Sequence, residues 1–182
     1  AITPGSSTTF NVQFNPSATG YLYAQISIVN DDTNESVFTF DIYGTGIAPA
    51  IIASPNTHDY GSINVGSSSP DISFLINNTG TDTLTITGMT NAGTNPGDFA
   101  VTSSSTPFSI SPGSNRLITI KFTPGGVAGR SGIVRLTNNT GVDYDINLSG
   151  TGIALAPAIS VIGDTNFGNV YQGSSSSTHT FT

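Results

Sequence analysis

The chain has 182 residues, of which 36% are hydrophobic and only 8% are charged, and its formal net charge is −7. Four basic residues are too few for the positive patch that nucleic acids and acidic membranes require, and no run of 18 apolar residues could span a bilayer. The absence of cysteine excludes disulfides, thiolate catalysis and Cys-ligated metal sites. We therefore expect no nucleic-acid partner and no membrane span.

Apolar and polar residues alternate along almost the whole chain, which predicts half-buried β-strands. The predicted strands contain, in chain order, the apolar sets Phe10–Phe14, Ala24–Ile28, Phe38–Ile42, Ile63–Val65, Ile72–Ile76, Leu84–Ile86, Phe99–Val101, Ile118–Phe122, Val134–Leu136 and Tyr144–Leu148. Turns rich in Asn, Pro and Gly separate them, and Gly80 and Gly141 are predicted to adopt a positive φ. No segment has a sustained helical period, so we expect an all-β fold.

The sequence repeats itself at an offset of 106–108 residues. Gly44-Thr45-Gly46 returns as Gly150-Thr151-Gly152, and Phe14-x-Pro16 returns as Phe122-x-Pro124. A fixed long period predicts tandem domains of about 107 residues, and about seven short strands in each predict an immunoglobulin-like (Ig-like) β-sandwich. Residues 1–48 would then be the C-terminal half of one repeat, 49–156 a complete repeat, and 157–182 the N-terminal strands of a third. The joints at 46–49 and 152–157 are short and contain Pro, which predicts a stiff array.

Further short motifs support this organisation. They are Phe14-x-Pro16, Gly20, Ile26-x-Ile28, Asn30-Asp31-Asp32, Phe38-Thr39-Phe40, Gly44-Thr45-Gly46, Phe167-Gly168-x-Val170, Gly173-Ser174-Ser175 and Phe181. Together they resemble the Ig-like repeats of the hydin type, common in bacterial surface proteins with a "choice-of-anchor D" domain. The resemblance covers essentially the whole chain. It implies a non-catalytic scaffold, without a cofactor, in a large secreted or cell-surface protein.

The densest acidic segment is a candidate calcium loop. Its oxygen ligands would be Asn30, Asp32 and Asn34, with Glu35 at the sixth position. A calcium loop needs Gly at that sixth position, and the corresponding segment 138–141 is uncharged. The alternative is a solvated hairpin turn, so we assign no metal.

Candidate contact residues are aromatic. Tyr23 and Tyr43 should face each other across a hairpin, where Ser131 and Ser149 stand in the second copy, so the fold does not require them. They form either a contact patch or a pair that stabilises its own hairpin. Residues 1–48 also present an apolar strand face without a partner sheet. The predicted interface therefore comprises Phe10, Phe14, Phe38, Phe40, Tyr23, Tyr43 and Phe181.

The expected partners are copies of the chain or adjacent repeats, with strand complementation as one means of covering the apolar face. We expect a non-enzymatic structural repeat of an extracellular filament or a long cell-surface protein. The alternative is an adhesion module that binds glycans or proteins through loops such as 30–36 and 90–96. A third interpretation is the stalk of a secreted enzyme.

Overall fold

The computed structural model of the chain describes residues 2–103, 105–157 and 162–180. In this part of the chain it has eleven strands and one short 3₁₀ turn, Pro96–Asp98. The strands are β1 Gly20–Val29, β2 Val37–Gly46, β3 Ile51–Ser54, β4 Thr57–Asn64, β5 Ile72–Asn78, β6 Leu84–Ala92, β7 Phe99–Ser103, β8 Phe108–Ile110, β9 Asn115–Phe122, β10 Ala128–Asn138 and β11 Tyr144–Ile153. The predicted all-β fold is confirmed. Among the described residues, no helix is long and apolar enough to traverse a membrane.

The strands β3–β11 form a two-sheet sandwich of the predicted Ig type. One sheet has the strand order β4-β11-β10-β6-β8, and the other has β3-β5-β9-β7. The inward-facing residues of both sheets form a single core, in which Phe74, Phe122 and Ile146 are 0% exposed. Alternation of apolar and polar residues thus predicted which side of each strand is buried, because successive side chains point to opposite faces.

The sandwich has nine strands in the described residues, whereas about seven were predicted. One difference is that the first part of the repeat contributes a strand to each sheet. Strand β3 pairs antiparallel with β5, and β4 pairs parallel with β11. Pro55 lies between them, and it cannot donate a ladder hydrogen bond. The other difference is the three-residue strand β8, which pairs with the start of β6.

The strands β1 and β2 form an antiparallel hairpin whose register runs from Gly20 opposite Gly46 to Val29 opposite Val37. The hairpin of β10 and β11 has the corresponding register, starting with Ala128 opposite Gly152. The two hairpins are therefore comparable position by position, as the sequence predicted. Position 23 corresponds to 131, and position 43 corresponds to 149.

Two of the predicted strand regions are not strands in the structure. The segment Phe10–Phe14 has no ladder, although its equivalent Ile118–Phe122 in β9 pairs with both β5 and β7. Residues 162–180 likewise contain no strand, and His179 stacks on Phe167 with ring centroids 4.6 Å apart. The physical reason is the same in both places: the equivalents of the pairing strands are not among the 182 residues, and a strand needs a partner to satisfy its backbone groups.

Candidate interaction surfaces

The repeated Gly-x-Gly motif is explained by close packing against the repeated Phe-x-Pro motif. A Cβ added to Gly150 would lie 2.6 Å from Phe122 Cε1, and one added to Gly152 would lie 2.9 Å from Pro124 Cβ and overlap the Gly126 carbonyl oxygen. Real Cβ atoms do not approach other atoms this closely, so only glycine fits at either position.

The same packing occurs in the β1–β2 hairpin. A Cβ on Gly44 would lie 2.8 Å from Phe14 Cε1, and one on Gly46 would lie 3.1 Å from Pro16 Cβ and overlap the Ala18 carbonyl oxygen. The first hairpin therefore retains the local contacts of the second, even though Phe10–Phe14 forms no ladder.

The segment that follows β2 is attached to the sandwich by hydrogen bonds from one turn, residues 79–82. The carbonyl of Ala48 accepts from the backbone N–H groups of Thr81 at 2.9 Å and Asp82 at 3.2 Å. The N–H of Ala48 donates to Thr81 Oγ1 at 3.2 Å, and the carbonyl of Ala50 accepts from the Thr79 N–H at 3.0 Å. Residues 46–50, here named the first joint, are thus held against the β3–β11 sandwich, whereas the stiffness of an array stays a prediction.

Gly80 lies at the point of closest approach between this turn and the first joint. An added Cβ would lie 2.5 Å from the Ala50 nitrogen and 2.7 Å from the Pro49 carbonyl carbon. Its φ is not in the left-handed region, contrary to the prediction, whereas Gly141 has the predicted positive φ of 88°. The sequence correctly indicated that glycine is needed at position 80, but the reason is lack of space rather than backbone conformation.

Asn78 connects the first joint, the turn and β8, and it is only 1% exposed. Its Nδ2 group donates to the carbonyls of Asp82 at 2.7 Å and Ile110 at 2.9 Å. Its Oδ1 atom accepts from the N–H groups of Gly80 at 3.0 Å and Ala50 at 3.3 Å. The sequence analysis did not single out this residue. The available signal was the motif Asn-Asn-Thr-Gly, which occurs at 77–80 and again at 138–141.

In the second joint, residues 152–157, the first two residues belong to the β11 ladders, and within the described part of the chain residues 154–157 make no hydrogen bond comparable to those of the first joint. Residues 153–157 are exposed, and Leu155 has 73% of its surface accessible. The first joint is held by a turn located about 30 residues downstream in the chain.

The inner face of the β1–β2 hairpin contains four of the predicted interface residues. Phe10, Phe14, Phe38 and Phe40 lie on this side, and Phe10 packs on Phe40 with ring centroids 6.3 Å apart. Phe10 is still 56% exposed and Phe14 and Phe38 are each 49% exposed, in contrast to the fully buried core of the sandwich. A shallow groove of about 430 Å³ runs along the same side, past Phe14 and Ile42. The fifth phenylalanine of the predicted interface, Phe181, lies outside the described residues.

The outer face of the same hairpin carries three exposed tyrosines. Tyr23 stands opposite Tyr43 in the register, as predicted. The stacked rings, however, are those of Tyr21 and Tyr43, whose centroids are 5.8 Å apart at an interplanar angle of 28°. Tyr21, Tyr23 and Tyr43 are each about 70% exposed. The sequence analysis missed Tyr21 because it considered only directly opposite residues, whereas aromatic side chains also reach diagonal neighbours.

Polar groups border these tyrosines. Next along the strands, Gln25 Nε2 donates to Asp41 Oδ1 at 3.2 Å. The outer positions equivalent to the three tyrosines in the β10–β11 hairpin are Gly129, Ser131 and Ser149, and all three are exposed. The tyrosine face therefore corresponds to the solvent side of a complete sandwich. We name Tyr21, Tyr23 and Tyr43 the tyrosine strip.

The acidic segment between β1 and β2 forms local turns. Asn30 Oδ1 accepts from the backbone N–H of Asp32 at 2.8 Å, and Asp32 Oδ1 accepts from that of Asn34 at 3.1 Å. Two of the oxygens proposed as calcium ligands thus stabilise the turn, as Asn and Asp side chains commonly do. No group of three or more His, Cys, Asp or Glu side chains suited to a metal occurs in the described residues.

Two arginines of β10 form ion pairs. Arg135 donates to both carboxylate oxygens of Asp145, its partner directly across the β10–β11 ladder, at 2.8 Å. The hydrogen bond from Arg135 lowers the pKa of Asp145, and partial burial opposes this effect. Arg130 Nε lies 2.5 Å from Asp98 Oδ2, and the two side chains are 22% and 10% exposed. The hydrogen bond to Asp98 raises the pKa of Arg130.

Comparison with solved structures finds similar folds at low sequence identity. A Porphyromonas gingivalis W83 protein of unknown function has a TM-score of 0.49 and 14% identity, over 75% of this chain and 68% of that chain. PapD-like domain 7 of human CEP192 has a TM-score of 0.39 and 12% identity, over 84% of this chain and 100% of that chain. The VesB protease of Vibrio cholerae has a TM-score of 0.40 and 15% identity, over 56% of this chain and 31% of that chain.

Comparison with curated proteins gives no match. A family model described as "HYDIN/CFA65/VesB-like, Ig-like domain" matches residues 49–151. These residues are more than half of the chain and comprise nearly all of the β3–β11 sandwich. The match confirms the hydin-type resemblance, while the "choice-of-anchor D" assignment stays a prediction. The chain belongs to the HYDIN/CFA65/VesB-like family of Ig-like domains.

Proposed function

We propose that this chain is a non-enzymatic structural element of an extracellular filament or long cell-surface protein. Ig-like repeats of about 107 residues would be stacked end to end, with 1–48, 49–156 and 157–182 belonging to successive repeats. The Ig-like family of the complete repeat supports a module of this kind, since such sandwiches serve as scaffolds on which different functions are placed.

The observation that carries the proposal is the attachment of the first joint. Hydrogen bonds link Ala48 and Ala50 to the 78–82 turn, and Gly80 leaves room for the joint to lie against that turn. An attachment through the backbone and one buried side chain limits rotation between the β1–β2 hairpin and the sandwich. A flexible Gly/Ser-rich connection would not limit this rotation. Repeats joined in this way would keep a fixed orientation, which a load-bearing or space-filling filament needs.

Electron microscopy of the protein as isolated tests this function. We expect straight filaments or rods whose axial repeat matches one domain, about 35 Å for strands of ten residues. Insertion of four Gly/Ser residues between Ile47 and Ala48 should make the particles bend at the joint while the sandwich stays folded. Dispersed particles without a regular axial repeat, or an insertion variant as straight as the wild type, would contradict the proposal.

A second candidate function is adhesion, and the tyrosine strip is the observation in its favour. Exposed aromatic rings next to hydrogen-bonding groups such as the Gln25–Asp41 pair suit the apolar face and hydroxyls of a sugar. Adjacent outward-facing residues on a strand are about 6.8 Å apart, so the strip is wide enough for more than one ring.

Glycan-array binding of the wild type and the Tyr23→Ser/Tyr43→Ser variant tests this candidate. The substitutions introduce the residues found at the equivalent positions of the complete repeat, so folding should be preserved. We expect binding to fall at least about tenfold if the strip is the site, corresponding to about 1.4 kcal/mol. Equal binding by both proteins, or no binding by the wild type, would remove adhesion through this strip from consideration.

A further inference from the structure

The inner face of the β1–β2 hairpin can be compared residue by residue with the inner face of the β10–β11 hairpin. In the complete repeat, the inner residues Val134, Leu136, Ile146 and Leu148 are 0–3% exposed because the first half of the same repeat packs on them. The β1–β2 hairpin has apolar residues at the equivalent positions: Ile26, Ile28, Phe40 and Ile42. The complete repeat thus indicates the kind of structure that covers such a face, namely the β3–β8 half of an Ig-like repeat.

At one position of the inner face, the two hairpins differ in the size of the side chain. Gly132 of β10 leaves room for Phe99, because an added Cβ would lie 2.7 Å from Cε2 of that ring and closer still to Cδ2. The equivalent residue in β1 is Ala24, which has the methyl group that Gly132 lacks. A phenylalanine in the position of Phe99 would therefore overlap Ala24, and close-packed interiors tolerate such overlap poorly.

At a second position of the inner face, the two hairpins differ in the charge of the side chain. Arg130 of β10 pairs with Asp98, whose side chain is only 10% exposed. The equivalent residue in β1 is Leu22. An aspartate in the position of Asp98 would lose its cation and stay largely buried beside a leucine, which is unfavourable for an ionised carboxylate.

We propose that the inner face of the β1–β2 hairpin binds the first half of an Ig-like repeat. The sequence of this partner differs from residues 49–110 of the present chain at two specific positions that contact the inner face. The partner has no carboxylate at the position equivalent to Asp98 and a side chain smaller than phenylalanine at the position equivalent to Phe99. A second copy of this chain that donates its own first half is thereby disfavoured. The proposal rests on the stacked-repeat function and adds that its repeats are not interchangeable.

The start of the described chain allows a direct test. In the complete repeat, β8 connects to β9 through residues 111–114, where the Ser114 N–H donates to the Ser111 carbonyl at 3.0 Å and Gly113 has a φ of 69°. Residues 3–6 form the same turn, with the Ser6 N–H 2.9 Å from the Thr3 carbonyl oxygen and a φ of 77° at Gly5. A first half placed directly before Thr3 would therefore enter through a turn that is already formed.

The experiment uses a chimera in which residues 49–110 replace residues 1–2 of the otherwise complete chain. Differential scanning calorimetry then measures unfolding of the hybrid N-terminal repeat beside that of the unchanged complete repeat. The first comparison restores the native pairs by substituting Leu22→Arg and Ala24→Gly in the hybrid. The second keeps Leu22 and Ala24 and substitutes Asp98→Leu and Phe99→Leu in the added segment only. The control is Tyr23→Ser/Tyr43→Ser, which changes two residues on the outer face.

We expect both matched chimeras to unfold at a temperature higher than the unmatched chimera by about 8 °C or more, with the control within a few degrees of the unmatched one. An unmatched chimera as stable as the matched ones would overturn the proposal, and a second copy would then be a competent occupant. Failure of every chimera to show a hybrid transition would also overturn it, because the face would not accept an Ig-type first half. Calorimetry does not depend on filament formation. The partner proposal can therefore be contradicted by calorimetry while microscopy supports the filament function, or the reverse.

Discussion

Substitution of Gly152 by alanine is expected to lower the free energy of unfolding of the complete repeat by about 3 kcal/mol or more. The added methyl group would overlap the carbonyl oxygen of Gly126 and lie 2.9 Å from Pro124 Cβ. Both belong to the main chain or to a rigid ring, so neither can move aside as a flexible side chain could. Thermal and chemical unfolding followed by circular dichroism would measure the loss.

Gly129→Ala is the matched control, because Gly129 lies in the same sheet, is exposed, and has no atom within 4 Å of an added Cβ. We expect this variant to stay within about 0.5 kcal/mol of the wild type. Equal stability of the two variants would show that the Phe-x-Pro segment can move away from β11 and make room for the added methyl group. The repeated Gly-Thr-Gly motif would then need a different explanation.

Substitution of Asn78 by alanine is expected to cost about 3–5 kcal/mol, because it removes four hydrogen bonds at a site with 1% exposure. Two carbonyls and two N–H groups would lose their partner, and the first joint would lose one of its attachments. Urea denaturation would measure the loss of stability. Hydrogen exchange at the Ala50 amide would report loosening of the joint and should become faster than in the wild type.

Two further variants separate the hydrogen bonds from simple loss of volume. Asn78→Asp keeps the size but directs a carboxylate oxygen at the carbonyls of Asp82 and Ile110, so it should be at least as destabilising as alanine. Asn77→Ala removes a half-exposed neighbour whose two hydrogen bonds are 3.1 and 3.4 Å long, and it should cost less than about 1 kcal/mol. If Asn78→Ala were as mild as Asn77→Ala, the buried amide would not be what holds the joint.

The fold could be predicted from the sequence because its main determinants are local or repeated. Alternation with period two identified most of the strands and their buried sides, although not β3 and β8, and the repeated motifs showed which positions to compare. Counting residues from the hairpin turn also predicted that Tyr23 stands opposite Tyr43. In this case the information lay in residues of a single hairpin, where turn position fixes the register.

What could not be predicted depends on contacts between distant parts of the chain. Asn78 looks like an ordinary turn residue until β8 and the first joint are brought to it from positions 110 and 50. Alternation with period two predicts a strand at Phe10–Phe14. A strand also requires a neighbouring strand to which it can hydrogen-bond, and alternation does not show whether such a strand is present. The placement of β3 and β4 in different sheets likewise depends on which sheet edges are free, which is a property of the folded sandwich.

The parallel pairing of β4 with β11 has a mechanical consequence. β11 is the last strand of the sandwich and β4 is preceded only by the four-residue strand β3, with Asn147 beside Thr57 and Ile153 beside Asn64. A pull applied to the two ends would draw β4 and β11 in opposite directions along their common axis. Their backbone hydrogen bonds would then carry the load together in shear, rather than break one after another as in a hairpin opened from its end. The hydrogen bond from the Val65 N–H to the Ile153 carbonyl, 2.9 Å long, continues this ladder to the C-terminal end of β11, where a tensile load would enter the sandwich.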